Sequence, residues 1–118
     1  MTGLRRLLAL LLFLALLAPA LHAQDLLPVP ALSARVIDQS GTLDAAQRAA
    51  LEAKLAAFEA AAGPQIVVLL VPTTQPEDIA SYAYRVADAW KIGRREVGDG
   101  VLIVVAKNDR KIRIEVAK

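Results

Sequence analysis

Apolar residues fall in blocks along the chain, and the spacing inside each block tells helix from strand. Leu51, Leu55 and Phe58 recur at i, i+4 and i+7 in an Ala-rich stretch, with Arg48, Glu52, Lys54 and Glu59 between them. This spacing predicts a helix with one buried stripe. Asp44 and Gln47 stand at capping-box spacing at its start, and Gly63-Pro64 ends it. Residues 66–71 (IVVLLV) are continuously apolar, as suits an interior strand covered on both faces. Pro72 stops that strand. Pro76, Glu77 and Asp78 then open a second helix, with Ile79, Ala83, Val86 and Trp90 along one face and Ile92-Gly93 closing it. Tyr82 and Tyr84 lie two apart on this helix, so only one of them can face the core. A polar loop, RREVGDG, leads to a second buried strand at residues 101–106 (VLIVVA). A turn at 107–111 follows, and then residues 112–116 (IRIEV) alternate apolar with polar, which predicts a strand with one wet face. Ahead of the first helix, Val36-Ile37 reads as a short strand before the turn Asp38-Gln39-Ser40-Gly41.

The fold class that follows is α/β: a helix-covered mixed sheet. Strands 66–71 and 101–106 flank a helix and form a parallel unit with a right-handed crossover. The 112–116 strand is a C-terminal hairpin strand, antiparallel to its predecessor. The sequence stops directly after that strand, and we expect the domain to be truncated, the N-terminal part of a longer protein.

Residues 7–17 form one unbroken apolar run behind Arg5 and Arg6, followed by Pro19 and the small-residue stretch APALHA. That is the three-part layout of a signal peptide, cut after Ala23 or, second, after Ala20, and too short to span a bilayer. The domain organisation is then signal peptide 1–23, irregular Pro-containing lead-in 24–34, and one small domain at 35–118. The expected location is the periplasm or the outer face of the membrane.

Setting the signal aside changes the charge. Of 14 Lys+Arg, two are Arg5 and Arg6, so the remaining 95 residues carry 12 basic and 12 acidic residues. No basic excess argues for nucleic acid. The chain has no Cys, and its only His is His22, inside the signal. Thiolate chemistry, His-based metal sites and Ser-His-Asp catalysis are therefore excluded from the processed protein.

Several segments, in this order, resemble the TPM domain family: VIDQSGTLD at 36–44, GPQIVVLLVPT, the IASYAYRVADAWKIGR helix, and VGDGVLIVVAKNDRKIRIEVAK. The resemblance covers nearly all of the chain after the signal. It implies an exported bacterial protein, often tethered by a membrane anchor, which here would lie beyond residue 118. Within the family is a plant protein of the thylakoid lumen described as an acid phosphatase. The family domain continues past the IEV strand with further helices. Where the family often reads IEVGYG, this chain reads IEVAK, without that glycine.

The resemblance also implies a divalent-cation site, calcium or another ion, near acidic residues matching Asp38 and Asp99. Calcium takes six to eight oxygen ligands, and two carboxylates with loop carbonyls could begin such a shell. The plainer roles are an Asx-turn for Asp38 and a turn before a strand for Asp99. Asp38 follows one strand and Asp99 precedes another, so the two meet only if those strands run antiparallel; we expect them to approach at one end of the sheet. Arg94 and Arg95 share the loop of Asp99. Their donor forks suit phosphate; the plainer role, and the one such surface charges more often have, is a solvated loop. Nothing in the chain suggests a nucleotide, haem or quinone. Two functions stay open: a binding or assembly module whose partners are envelope proteins, and a metal-assisted acid phosphatase.

Overall fold

The computed structural model describes residues 25–93 and 99–117. The signal-peptide segment and the pair Arg94 and Arg95 lie outside the described residues. The elements run β1 (Val36–Asp38), α1 (Ala45–Ala62), β2 (Gln65–Val71), α2 (Ile79–Trp90), β3 (Gly100–Ala106) and β4 (Lys111–Ala117). The four strands lie side by side in the order β1-β2-β3-β4. β1, β2 and β3 are parallel, and β4 returns antiparallel to β3. The expected parallel strand–helix–strand unit and hairpin strand are thus both present. The strand at β1 extends the parallel sheet by one.

Both helices start where the sequence indicated. Asp44 accepts from the Gln47 backbone N–H while the Gln47 side chain accepts from the Asp44 N–H, a complete capping box. Asp78 caps α2 by accepting from the Ser81 N–H and hydroxyl, and these bonds hold its carboxyl below the ordinary carboxylate range. Gly63 ends α1 with φ 98, a backbone that a side chain would strain.

The register assigns every strand residue to a face. Val67, Leu69 and Val71 stand level with Leu102, Val104 and Ala106 and look to one side. There they form a closed core with Tyr82, Ala83, Val86 and Ala87 of α2 and with Ile92. Burying each larger aliphatic side chain here is worth roughly 1.5–3 kcal/mol. Tyr82 is the tyrosine that faces this core, and Tyr84 is exposed. Burial raises the Tyr82 hydroxyl above the usual tyrosine range, against the pull of Arg85.

The lead-in is part of this layer. Leu27 and Val29 pack against the core. The Arg85 guanidinium donates to the Leu27 carbonyl at 2.6 Å, and the Trp90 indole N–H donates to the Pro30 carbonyl at 2.7 Å. Glu77 holds the same guanidinium at 3.0 Å from the other side. Residues read as irregular are therefore a strap tied across α2.

The opposite face differs from the sequence reading. No residue of α1 is fully buried: Leu51 and Leu55 are half-covered and Phe58 is exposed. The cause is that α1 packs only on β1 and β2, so its stripe has half a sheet to sit on. A polar clamp docks it instead. The Glu52 carboxylate accepts from the N–H groups of Arg35 and Val36, and the Arg35 guanidinium bridges Glu52 and Glu59. Burial acts to raise the Glu52 carboxyl, but these donors outweigh it and hold it below the ordinary range.

Candidate functional site at the carboxyl edge of the sheet

In a parallel sheet, ligands favour the loops beyond the carboxyl ends of the strands. Three connections meet that edge here: the turn after β1, the β2–α2 loop and the β3–β4 turn. They are linked to one another. Lys107 and Asn108 donate their N–H groups to the carbonyls of Val71 and Pro72. The Asp109 carboxylate accepts from the Thr73 hydroxyl at 2.8 and 2.9 Å and from the Thr74 N–H at 3.1 Å. Between these loops lies an open cleft of about 290 Å³, lined by residues 74–79 with Asp109 and Lys111. That is the small end of the range for ligand sites, with room for an ion or a small anion.

Asp38 ends β1 at this same edge, as its position after the strand predicts. Its carboxylate is already engaged: Oδ1 accepts from the Ser40 N–H and hydroxyl, and Oδ2 accepts from the Leu43 N–H at 2.7 Å. Partial burial pushes the carboxyl up, but the Leu43 and Ser40 bonds prevail and hold it below the usual range. It is an Asx-turn that fixes the approach to α1.

Asp99 is elsewhere. It is exposed and immediately precedes β3, at the amino edge. Asp38 pairs with Leu70, and Leu70 with Val105, six residues beyond Asp99. At roughly 3.3 Å per strand residue the two are about 20 Å apart along the sheet before any sideways offset. One calcium ion, with ligands at about 2.3–2.6 Å, cannot span that. The expected approach of Asp38 and Asp99 is corrected: β1 runs parallel to β3, so one residue sits at each end. The glycine beside Asp99 has a packing role, since a side chain at Gly100 would run into Ile92 Cγ2 and the Gly93 N. Among the described residues, no cluster of three or more acidic residues is arranged to hold a metal.

The sequence does not single out Asp109, which lies in the turn at 107–111, nor Thr73 and Thr74, as residues of a site. The available signal was order: both loops follow buried parallel strands, so both emerge at one edge.

This arrangement defines an α/β domain whose loops gather at the carboxyl end of a short parallel sheet. The chain belongs to the TPM domain family, whose profile matches residues 36–118. Two solved structures are similar. The solution structure of the N-terminal domain of the cg2496 protein from Corynebacterium glutamicum has TM-score 0.61 and 15% identity, covering 78% of this chain and 60% of that one. The N-terminal domain of a protein from P. gingivalis has TM-score 0.57 and 25% identity, covering 69% of this chain and 52% of that one. The chain thus spans little more than half the length of either. No curated protein matches it.

Proposed function

We propose that this TPM domain is an exported binding module of the cell envelope, working through protein contacts. One observation carries the reading. On the α1 side of the sheet the apolar row Ile112, Ile114 and Val116 is 67, 59 and 56% exposed. Beside it Val101, Ile103 and Val105 of β3 are only half-covered. A contiguous apolar surface of this kind is a contact surface, for residues that follow in the chain or for another protein. Export is supported by the layout of residues 1–23. Among the described residues no helix is long and apolar enough to cross a membrane. The test is a photocrosslinking residue placed at Ile112 or at the exposed Tyr84 on the other face, in the producing cell. The expected result is a discrete adduct with an envelope protein from Ile112 and none from Tyr84. Equal labelling from both would remove the reading.

A metal-assisted acid phosphatase is the second reading, favoured by the cleft at the carboxyl edge. There Asp109 and Lys111 line one cleft; Lys111 would face phosphate, and a divalent cation, calcium among the candidates, would be held by Asp109 with loop carbonyls and water. Hydrolysis of a generic phosphomonoester that Asp109→Ala abolishes would support it. Activity unchanged by Asp109→Ala would sink it.

A further inference from the structure

α2 sits on β3 and β4, yet Val67, Leu69 and Val71 of the neighbouring β2 are buried on the same face. The missing cover is the lead-in. Leu27 and Val29 turn inward and pack on the core, as do Ile37, Ile79 and Trp90. Pro28 between them is exposed, and Leu26 is 50% exposed. The lead-in therefore lies as an extended chain in an apolar groove between α2 and β1. It belongs to no strand of the sheet. α2 grips it through two side-chain donors, Arg85 on the Leu27 carbonyl and Trp90 on the Pro30 carbonyl.

The spacing of that grip is the spacing of a polyproline-type chain. Such a chain advances about 3.1 Å per residue with three residues per turn, so carbonyls three apart lie on one side and about 9 Å from each other. From Arg85 to Trp90 the helix rises about 7.5 Å, and the two long side chains span the rest. Pro28 and Pro30 hold the extended shape before docking, which lowers the entropy lost on binding. The receptor side is also set in advance. Arg85 is held by Glu77 at 3.0 Å and lies 5.6 Å from the centre of the Tyr82 ring, contacts that do not involve the lead-in. Aromatic-lined grooves whose donors read the carbonyls of a proline-bearing chain are a general mode of peptide recognition. We propose that the groove between α2 and β1 is a docking site for a proline-containing extended segment of another protein, with aliphatic and proline residues alternating as in LPVP. Residues 27–30 are the resident that such a segment displaces. Because the donors read backbone carbonyls, a foreign segment of this shape satisfies them as well as the resident does. This contact lies on the α2 face and stands apart from the one proposed at Ile112.

The probe is a labelled synthetic peptide of residues 25–33 (DLLPVPALS), titrated into the purified processed protein and followed by fluorescence anisotropy. Wild type should bind it saturably but weakly, because the tethered resident competes at high effective concentration. Leu27→Ala with Val29→Ala in the protein loosens the resident and should tighten peptide binding about tenfold or more, since apparent affinity follows the fraction of open groove. Trp90→Phe removes one donor to the peptide backbone and should weaken binding to the loosened protein about fivefold. A peptide carrying Leu27→Asp and Val29→Asp should not bind. Trp90 is the chain's single tryptophan, so its own emission gives a second readout. It should shift to longer wavelength in the loosened variant and return on addition of unlabelled peptide. No saturable binding to wild type at millimolar peptide, equal affinity in wild type and the loosened variant, or equal binding of the aspartate peptide would each overturn the proposal.

Discussion

One sheet carries two unlike faces. Toward α2, Val67, Leu69, Leu102 and Val104 are fully buried, and the helix is backed by the strap from Leu27 to Pro30. Toward α1, cover fades across the strands. In the row Val36, Val68, Ile103 and Ile114, the first is buried, the middle two are half-covered, and the last is open. β2 and β3 are apolar on both sides, so their composition does not set the difference. The placement of the helices does. α2 sits on β3 and β4, whereas α1 sits on β1 and β2 and leaves β3 and β4 uncovered on its side. The covered face supplies stability, and among the described residues the other face of β3 and β4 stays open.

The largest test of this contrast is truncation on each face. Leu102→Ala removes a fully buried side chain and is expected to cost about 2–5 kcal/mol. Ile114→Ala, on the open face, should cost less than about 1 kcal/mol, a residual strand preference. Urea melts of the two variants decide it. Equal costs would mean that the open face is covered in solution.

The strap is the next element to remove. Trp90→Phe keeps the ring and deletes the donor to the Pro30 carbonyl, an expected loss of about 1 kcal/mol. For a domain of this size that lowers the melting temperature by about 4–8 °C. Leu27→Ala should cost more than Trp90→Phe, because it also opens the edge of the core. If neither variant moves the melt, the lead-in is an ornament on α2 and not part of the closed face.

How far these faces could be read from the chain depends on the signal each leaves. Continuous runs such as IVVLLV announce strands covered on both sides, and the capping residues Asp44 and Asp78 announce the helices. In β4 the alternation IRIEV says that the strand has two unlike faces. It does not say which one is covered, because that depends on where α2 crosses. The crossing puts the polar row beneath the helix, with the Glu115 side chain only 17% exposed, and leaves the isoleucines outside. The strap was illegible because its anchors are backbone carbonyls, which every residue has. At the site, the place of Asp38 after β1 was legible. Its separation from Asp99 was not, since it depends on the direction of β1 relative to a strand more than sixty residues on.

A smaller effect concerns pH, and it belongs to the α1 side. Asp38 and Glu52 are both held below their ordinary carboxylate range in the folded protein. A depressed carboxyl stabilises the fold above its unfolded value, about 3.9 for Asp and 4.3 for Glu, and that contribution is lost as pH falls through the folded values. Melting temperature should therefore be flat near neutrality and drop below about pH 4. Glu52→Gln should melt lower at pH 7 and show a shallower acid decline. A parallel decline in both proteins would mean that the Glu52 clamp does not hold α1 in place.

The smallest effect separates the two aspartates, Asp38 and Asp99, at opposite edges of the sheet. Asp38→Asn keeps one acceptor oxygen but sets an amide against the donors of Ser40 and Leu43, so it should destabilise by about 1 kcal/mol. Asp99→Asn changes an exposed group and should leave the melt within about 0.5 kcal/mol of wild type. Because they lie at opposite edges of the sheet with no shared ligand, the double variant should equal the sum of the singles. The same logic governs calcium. Heat of binding, if measured by calorimetric titration, should respond to at most one of the two substitutions, since one ion reaches only one edge. A coupling well above about 0.5 kcal/mol in either experiment would mean that the two ends of the sheet communicate through something other than a shared ion.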